Sequence, residues 1–370
     1  MSKLATLALI LALAVPAGAI DLQIPSSAEI CGDCHREIFD GWKRSAHAKA
    51  MESRLFQDSL KMAEADFGAS ARKTCLGCHS PVGVQVGDLN LIKKVSWEGV
   101  TCDYCHSIRE VTLTGPNPKA RVEFSLVKSG PSKDAASTAH QTVYSEVHTT
   151  SLACVSCHEY KNAQGLAVLT TYSEWTKSSY GKEEQGCQSC HMYRVKGNVV
   201  DPSVKRNSQL KLNLHEIPGS HSIEQLNKAV KAQLNSDHQG GQLKVTVQVS
   251  NRGAGHCVPT GSPLRQLILE LRADAYNGKH FREERLYRRV VADQSGTPLN
   301  REHLAFIKAA RQLSDTRLGP GETRTETFSF PVPQSVQTQL DASFYYYYSP
   351  TATTEAEQKV KFLSLRRLVQ

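Results

Sequence analysis

One pentapeptide pattern occurs five times between residues 31 and 191 of this 370-residue chain. Each copy has two cysteines separated by two residues and a histidine directly after the second: Cys31-x-x-Cys34-His35, Cys75-x-x-Cys78-His79, Cys102-x-x-Cys105-His106, Cys154-x-x-Cys157-His158 and Cys187-x-x-Cys190-His191. This spacing is the attachment signature of c-type heme, because two thiols can form thioethers to the vinyl groups while the next residue offers an imidazole to the iron. The sequence therefore predicts five covalently attached hemes, each with its motif histidine as the proximal ligand.

Chance, zinc binding and disulfide formation account for the repeat less well. With 11 cysteines and 14 histidines in the chain, chance would give roughly 0.01 copies of the pattern. Zinc sites use paired Cys-x-x-Cys units without a systematic histidine after the second cysteine, and disulfide frameworks use varied spacings. The motifs leave only Cys257 outside them.

The first 19 residues have the features of a secretory signal peptide. Lys3 gives a positively charged start, residues 4–15 form an apolar run too short to span a bilayer, and small residues precede a cleavage position after Ala19. No other apolar run has the length of a membrane span. The sequence therefore predicts an exported protein without a transmembrane segment, located in the periplasm or outside the cell at its surface.

The charge of the protein together with its predicted hemes argues against nucleic acid as a partner. The formal net charge of +8 by itself favours an acidic partner. Each oxidised heme with its two propionates contributes about −1, so five hemes leave the oxidised protein, without its signal peptide, near +2. The chain also contains no long basic run. We therefore expect no nucleic-acid partner.

The hydrophobic pattern predicts a mixed, multidomain protein. Toward the C-terminus apolar residues alternate with polar ones, as from Leu243 to Val249, and Asn277-Gly278 predicts a hairpin turn. Ser222 can cap a helix whose inner face includes Val230 and Leu234. The predicted parts are a signal peptide (1–19), a mainly α-helical heme-packed domain with little regular sheet (20–221), a helix and linker (222–240) and an all-β, sandwich-like domain (241–370).

Histidines outside the motifs are numerous enough to give every iron a second imidazole. There are nine of them for five irons. A helix predicted from Arg36 to Met51 carries His47, and about 18 Å would separate it from His35 along a continuous helix, so His47 should serve a different heme. His140 and His148, eight residues apart, fit one helical face.

Several segments together resemble the multiheme cytochrome c family that includes the tetraheme electron acceptor of hydroxylamine oxidoreductase, with a β-domain of the kind attached to many such cytochromes. They are Trp42…Ser45-Ala46-His47, Glu98-Gly99-Val100-Thr101, Tyr144-Ser145…His148, Glu174-Trp175, Gln188…Met192, His215…Gly219…His221, residues 253–261 and Asp315…Gly319-Pro320-Gly321-Glu322. The chain differs from the tetraheme members by its fifth motif and by the β-domain. With the residue arguments, the resemblance gives as candidate distal ligands His47, His148, His140, His221, His215 and His256.

The remaining candidates have weaker context. His256 lies in a Gly/Pro-rich turn, where it is either a heme ligand donated by the β-domain or a hydrogen-bonded turn residue. Cys257 is interpreted as a buried small apolar residue rather than a thiolate ligand. The other three histidines are predicted to lie at the surface: His238, His280 and His303.

The leading hypothesis is an electron carrier. Closely spaced hemes form a conducting chain, and two histidines on each iron leave no open position for a substrate. One alternative is a multiheme oxidoreductase that acts on a small nitrogen or sulfur compound at one five-coordinate heme. A second is a subunit of an extracellular heme filament or surface electron conduit, which would be a homo-oligomer. The expected partners are redox proteins, either other cytochromes or quinol-linked donors.

Overall fold

A computed structural model describes residues 24–205, 210–349 and 358–370. The predicted signal peptide lies outside these described residues. No helix within them is both long enough and apolar enough to cross a membrane. We call residues 24–229 the heme domain and residues 230–370 the β-domain, in each case for the described part.

Short helices make up much of the heme domain. Serine and threonine side chains start several of them; Ser53 Oγ accepts from Phe56 N–H at 3.4 Å and Thr101 Oγ1 accepts from Tyr104 N–H at 3.1 Å. The helices of the described chain are α1 Ala28–Gly32, α2 Arg36–Arg44, α3 Arg54–Phe67, α4 Ala69–His79, α5 Pro81–Gln85, α6 Cys102–His106, α7 Leu152–His158, α8 Thr171–Lys177, α9 Ser179–Lys182, α10 Cys187–His191, α11 Ile223–Ala229 and α12 Glu302–Ile307.

Small two-stranded sheets connect the helices of the heme domain. They pair β1 (Ile108–Thr112) with β2 (Lys119–Val122), β3 (Val127–Gly130) with β4 (Gln141–Tyr144), β5 (Glu159–Lys161) with β6 (Ala167–Thr170) and β7 (Arg194–Lys196) with β8 (Lys211–Asn213). The pair β3–β4 is parallel and the other three are antiparallel.

Two helix predictions in the heme domain are wrong. The helix predicted from Arg36 to Met51 ends at Arg44, because Ser45 has an extended backbone and its Oγ accepts from the Ala48 N–H at 3.1 Å. The separation computed for a continuous helix between His35 and His47 therefore does not apply. His140 and His148 do not share a helical face either, since β4 and a 3-10 turn lie between them.

The β-domain consists of two antiparallel sheets. Three strands lie in the order β14 (Thr323–Phe330), β10 (Gln242–Asn251), β9 (Val230–Gln239). Five strands lie in the order β13 (Arg311–Asp315), β12 (His280–Ala292), β11 (Gln266–Ala275), β15 (Thr338–Tyr347), β16 (Lys359–Val369). The hairpin predicted at Asn277-Gly278 is confirmed, because it joins β11 to β12.

Apolar side chains of both sheets form one hydrophobic core. The alternation predicted for Leu243 to Val249 is confirmed: every second residue is fully buried, as expected for a strand with one face on a core. Leu269 and Phe344 from the larger sheet belong to the same cluster. The sheets therefore pack on each other through their inner faces.

The segment predicted as helix and linker over residues 222–240 is only partly helical. Ser222 does cap α11, and its Oγ accepts from Gln225 N–H at 3.2 Å. Val230 and Leu234 lie not on this helix but in β9, where they pair with Asn251 and Val247. The sheet region thus begins at residue 230 rather than 241.

The prediction that His303 lies at the surface is wrong. His303 belongs to α12, is 3% exposed and bonds through Nε2 to Asp66 of α3 at 3.0 Å. A helix of the β-domain region therefore packs on the heme domain through a buried histidine.

Candidate heme sites

Each motif lies in a single helical turn. In the last four motifs the histidine is the final residue of α4, α6, α7 or α10. In the first motif α1 ends at Gly32, and the turn continues because His35 N–H donates to Cys31 O at 2.9 Å. Residues three apart lie on one face of a helical turn, so both thiols of a motif are presented together.

Backbone carbonyls orient most of the motif imidazoles. The Nδ1 atoms of His35, His106 and His191 contact the carbonyl oxygens of Val199, Ser129 and Pro218 at 2.7, 2.7 and 2.6 Å. His79 Nδ1 contacts Ala50 O at 3.3 Å. A carbonyl can only accept, so Nδ1 carries the proton and Nε2 is left to bind a metal.

Burial favours the neutral form of five of the candidate histidines. It lowers the pKa of His79 and His106 to about 4, and it also lowers the pKa of His47, His215 and His256. Metal binding requires the neutral imidazole. These five histidines are therefore neutral at physiological pH and able to bind a metal.

Three of the motif histidines each face a histidine from elsewhere in the chain, with nearly the same distance between the two rings in all three pairs. The ring centroids are 6.2 Å apart for His35 and His140, 6.3 Å for His158 and His47, and 6.4 Å for His191 and His256. Metal–nitrogen bonds of about 2 Å, with each ring centroid about 1.1 Å beyond its nitrogen, put two opposed ligand rings about 6.3 Å apart. These three pairs thus have the spacing of two imidazoles on one metal.

His148 faces His106 of the third motif at 5.5 Å, with the two rings nearly parallel. Its Nε2 contacts Cys105 O at 2.9 Å, whereas its Nδ1 is buried and has no partner among the described residues. A buried polar atom without a partner is costly. Nδ1 is therefore the nitrogen of His148 that is available to a metal.

His79 of the second motif differs from the other four. Among the ring contacts of the described residues it pairs with Phe56, whose ring stacks on it at 3.7 Å, and with no histidine. The Arg265 guanidinium, from the β-domain, is close enough to act electrostatically on His79. Nothing in the sequence pattern singled out Arg265.

The two remaining candidates, His215 and His221, are not opposite a motif histidine in the ring contacts of the described chain. The His221 ring stacks on Tyr348 at 4.6 Å. His215 Nδ1 contacts Asn213 O at 2.7 Å, which leaves its Nε2 free, and the ring is near enough to His35 to act on it electrostatically.

Thiols of different motifs contact each other. None of the eleven cysteines, all in the described part, forms a disulfide. Three thiol pairs lie close enough for one thiol to shift the pKa of the other: Cys31 with Cys102, Cys78 with Cys157 and Cys154 with Cys187. The first motif is therefore adjacent to the third, and the fourth is adjacent to both the second and the fifth.

Comparison with known proteins finds similarity to cytochromes. The family described as "Cytochrome c554 and c-prime" matches residues 30–107, which include the first three motifs. Cytochrome c-554 of Nitrosomonas europaea is 29% identical over 156 residues, which are 40% of this chain and 63% of that protein. The chain thus spans less than two thirds of this curated relative.

A solved structure shares the fold over both domains. A penta-heme cytochrome c552 from Thermochromatium tepidum is 21% identical, with a TM-score of 0.73 over 94% of this chain and 100% of that one. The heme domain and the sheet region thus occur together in another protein. The five motifs, the family match and this common fold support a multiheme c-type cytochrome.

Proposed function

We propose that this protein is an exported pentaheme cytochrome that transfers electrons along a chain of closely packed hemes. The observation that carries the proposal is the set of opposed imidazoles, in which four of the five motif histidines face a second histidine. A bound heme c supplies reversible one-electron chemistry. The protein's own residues attach it, ligate it and keep it from exchanging ligands.

The ring pairs support an assignment of the distal ligands. We assign His140 to the first motif, His148 through Nδ1 to the third, His47 to the fourth and His256 to the fifth. His256 comes from the β-domain, so that domain completes a heme site. His47 lies far before the motif that it serves, and His148 lies well after its own, so both tie distant parts of the heme domain together.

The neighbouring thiols support an order for the proposed redox centres. The first and third motifs form one adjacent pair, and the second, fourth and fifth form a group around the fourth. Burial and, after it, the nearby Cys157 thiol raise the pKa of Cys105 to about 12, which connects the third motif to the fourth. The proposed route therefore runs from the first motif through the third to the fourth, and branches there.

The lack of a histidine opposite His79 in the described residues favours a second candidate function, because a heme bound there would have an open coordination position. Because His79 faces no histidine in the described residues, this heme is the one at which a small nitrogen or sulfur compound could bind. The positive charge of Arg265, which acts on His79 as well as on His158 and His221, would favour an anion in this region. Arg265 Nη1 donates to Ser220 Oγ at 2.7 Å and to the Tyr346 hydroxyl oxygen at 3.5 Å, which fixes the guanidinium in place.

Electron paramagnetic resonance of the fully oxidised, heme-loaded protein tests both candidates at once. We expect low-spin signals that integrate to four hemes per chain, and one high-spin heme that cyanide converts to low-spin. Replacing Cys75 and Cys78 by serine should remove the high-spin signal alone. Five low-spin hemes that ignore cyanide would eliminate the second candidate. Two or more high-spin hemes would refute the assigned histidine pairs.

A further inference from the structure

The turn that carries His256 is anchored in both domains. We call residues 252–260 the His256 turn. Within the β-domain, Val258 N–H donates to Leu318 O at 2.8 Å and Leu318 N–H donates to Val258 O at 3.0 Å. On the other side, Tyr180 O–H of α9 donates to Arg252 O at 3.0 Å. The turn is therefore seated between the smaller sheet and the end of the heme domain.

Glycine at position 255 allows this close seating. A Cβ there would come within 3.1 Å of both Trp175 of α8 and Tyr180 of α9. Such a distance is tighter than ordinary van der Waals contact, so a larger residue would push the turn away from the two helices. Helices α8 and α9 thus form the support on which His256 is presented.

The carboxylate of Glu174, on α8, is the polar centre of this support. Its Oε2 accepts from Cys257 N–H and from Thr260 Oγ1, both at 3.0 Å. Its Oε1 accepts from Thr170 Oγ1 at 2.6 Å and from Arg317 Nη1 at 2.8 Å. Only 10% of the side chain is exposed, so all four bonds form in a desolvated place, where an ionised acceptor binds strongly.

One residue, Cys257, connects Glu174 to the proposed ligand. Cys257 N–H donates to Glu174, and Cys257 O contacts His256 Nδ1 at 2.9 Å. The hydrogen bond at Nδ1 sets the orientation and basicity of a metal-bound imidazole. Glu174 therefore fixes the very residue whose carbonyl orients His256.

The charge of Glu174 also acts at this site. Arg317 neutralises it in part, and is itself paired with Asp315 at 2.8 Å. A buried ion pair is weak evidence for added stability, because apolar side chains of the same volume often serve as well. Arg289 also lies near these groups, so the cluster of two acids and two arginines has no net formal charge. The carboxylate of Glu174 by itself still has an effect that apolar residues cannot give, because a negative charge near an axial ligand favours the ferric form.

We propose that Glu174 is a positioning residue that holds His256 opposite His191, and that its negative charge lowers the reduction potential of the heme attached at Cys187 and Cys190. This inference rests on the proposed function, which makes His256 a ligand. It means that Glu174, in the heme domain, positions a ligand that the β-domain supplies.

Four variants of the heme-loaded protein separate the two roles of Glu174. His256→Ala defines the spectrum and potential of the protein when this ligand is lost. His256→Ala should add a high-spin heme signal. Glu174→Ala should add the same signal, because no side-chain acceptor remains for Cys257 N–H. Glu174→Gln retains an acceptor and should keep the heme low-spin, but with a raised potential for one heme. Glu183→Gln, an exposed carboxylate on the neighbouring turn, should change neither property.

Spectroelectrochemical titration measures the reduction potentials of the hemes in these variants, and electron paramagnetic resonance measures their spin states. If His256→Ala opens a heme while Glu174→Ala leaves all spectra unchanged, the positioning role is refuted and the proposed function stands. If Glu174→Gln leaves every potential where it was in the wild type, the charge effect is refuted, even where Glu174→Ala does not fold. If His256→Ala itself opens no heme, the proposed ligand assignment fails.

Discussion

Replacing His47 with alanine is expected to convert one low-spin heme to high-spin, and that heme should be the one attached at Cys154 and Cys157. The reason is that the His47 ring lies opposite His158 with the centroids 6.3 Å apart. Alanine offers no donor, and removing an axial imidazole leaves the iron with an open position and a changed potential. The measurement is paramagnetic resonance of the oxidised protein, followed by a redox titration.

Two controls make the His47 experiment decisive. His280→Ala removes an exposed histidine that is paired with Asp274 in the β-domain, and should leave all spectra as in the wild type. Combining His47→Ala with serine at Cys154 and Cys157 should abolish the new high-spin signal. A new signal that persists in this combined variant would place His47 on another heme, and an unchanged spectrum of His47→Ala would remove it from the ligands.

Replacing Gly99 with alanine should have nearly the same spectroscopic effect without touching a ligand. Gly99 has a φ of +71°, and a Cβ there would overlap the His47 carbonyl oxygen and come within 3.0 Å of the Ala48 carbonyl oxygen. Val100 N–H donates to that same His47 oxygen at 3.0 Å. The backbone of His47 would have to move, so we expect the heme opposite to become partly high-spin.

Gly115→Ala is the matched control for this substitution. Gly115 has a φ of +98°, but a Cβ there would meet nothing within 4 Å. Left-handed backbone costs a non-glycine residue about 1–3 kcal/mol in either place. Denaturant unfolding should show a loss of that order for Gly115→Ala and a clearly larger one for Gly99→Ala. Equal losses with an unchanged heme spectrum would mean that the contact with His47 has no effect on ligation.

The sequence pattern predicts structure that a hydrophobic repeat records, and it fails where a single side-chain hydrogen bond or a distant residue decides. The strand from Leu243 to Val249 is predicted correctly because alternation records which face is buried. The helix from Arg36 to Met51 is not, because the polar Ser45 turns the chain through a local hydrogen bond. The burial of His303 depends on Asp66, 237 residues away, and no spacing rule contains that contact.

Each candidate site also has a part that the sequence predicts and a part that only the structure shows. Each pair of predicted heme-attaching cysteines lies in one pentapeptide with its proximal histidine, so the sequence alone predicts this part of each site. Four of the motif histidines face a histidine that lies far away in the chain, as His158 faces His47, and tertiary packing decides which histidine that is. Composition supplies enough histidines for all five irons, but only the packing shows that His79 faces Phe56 instead of a histidine.

Electron redistribution within a single molecule tests the central claim most directly. In flash photoreduction of the heme-loaded protein, one electron is injected and the absorbance of the hemes is followed in time. The proposed chain predicts that the electron spreads among hemes of different potential at a rate independent of protein concentration. A redistribution rate that rises in proportion to protein concentration would show that electrons pass between molecules and not along the chain, and would contradict the proposed function.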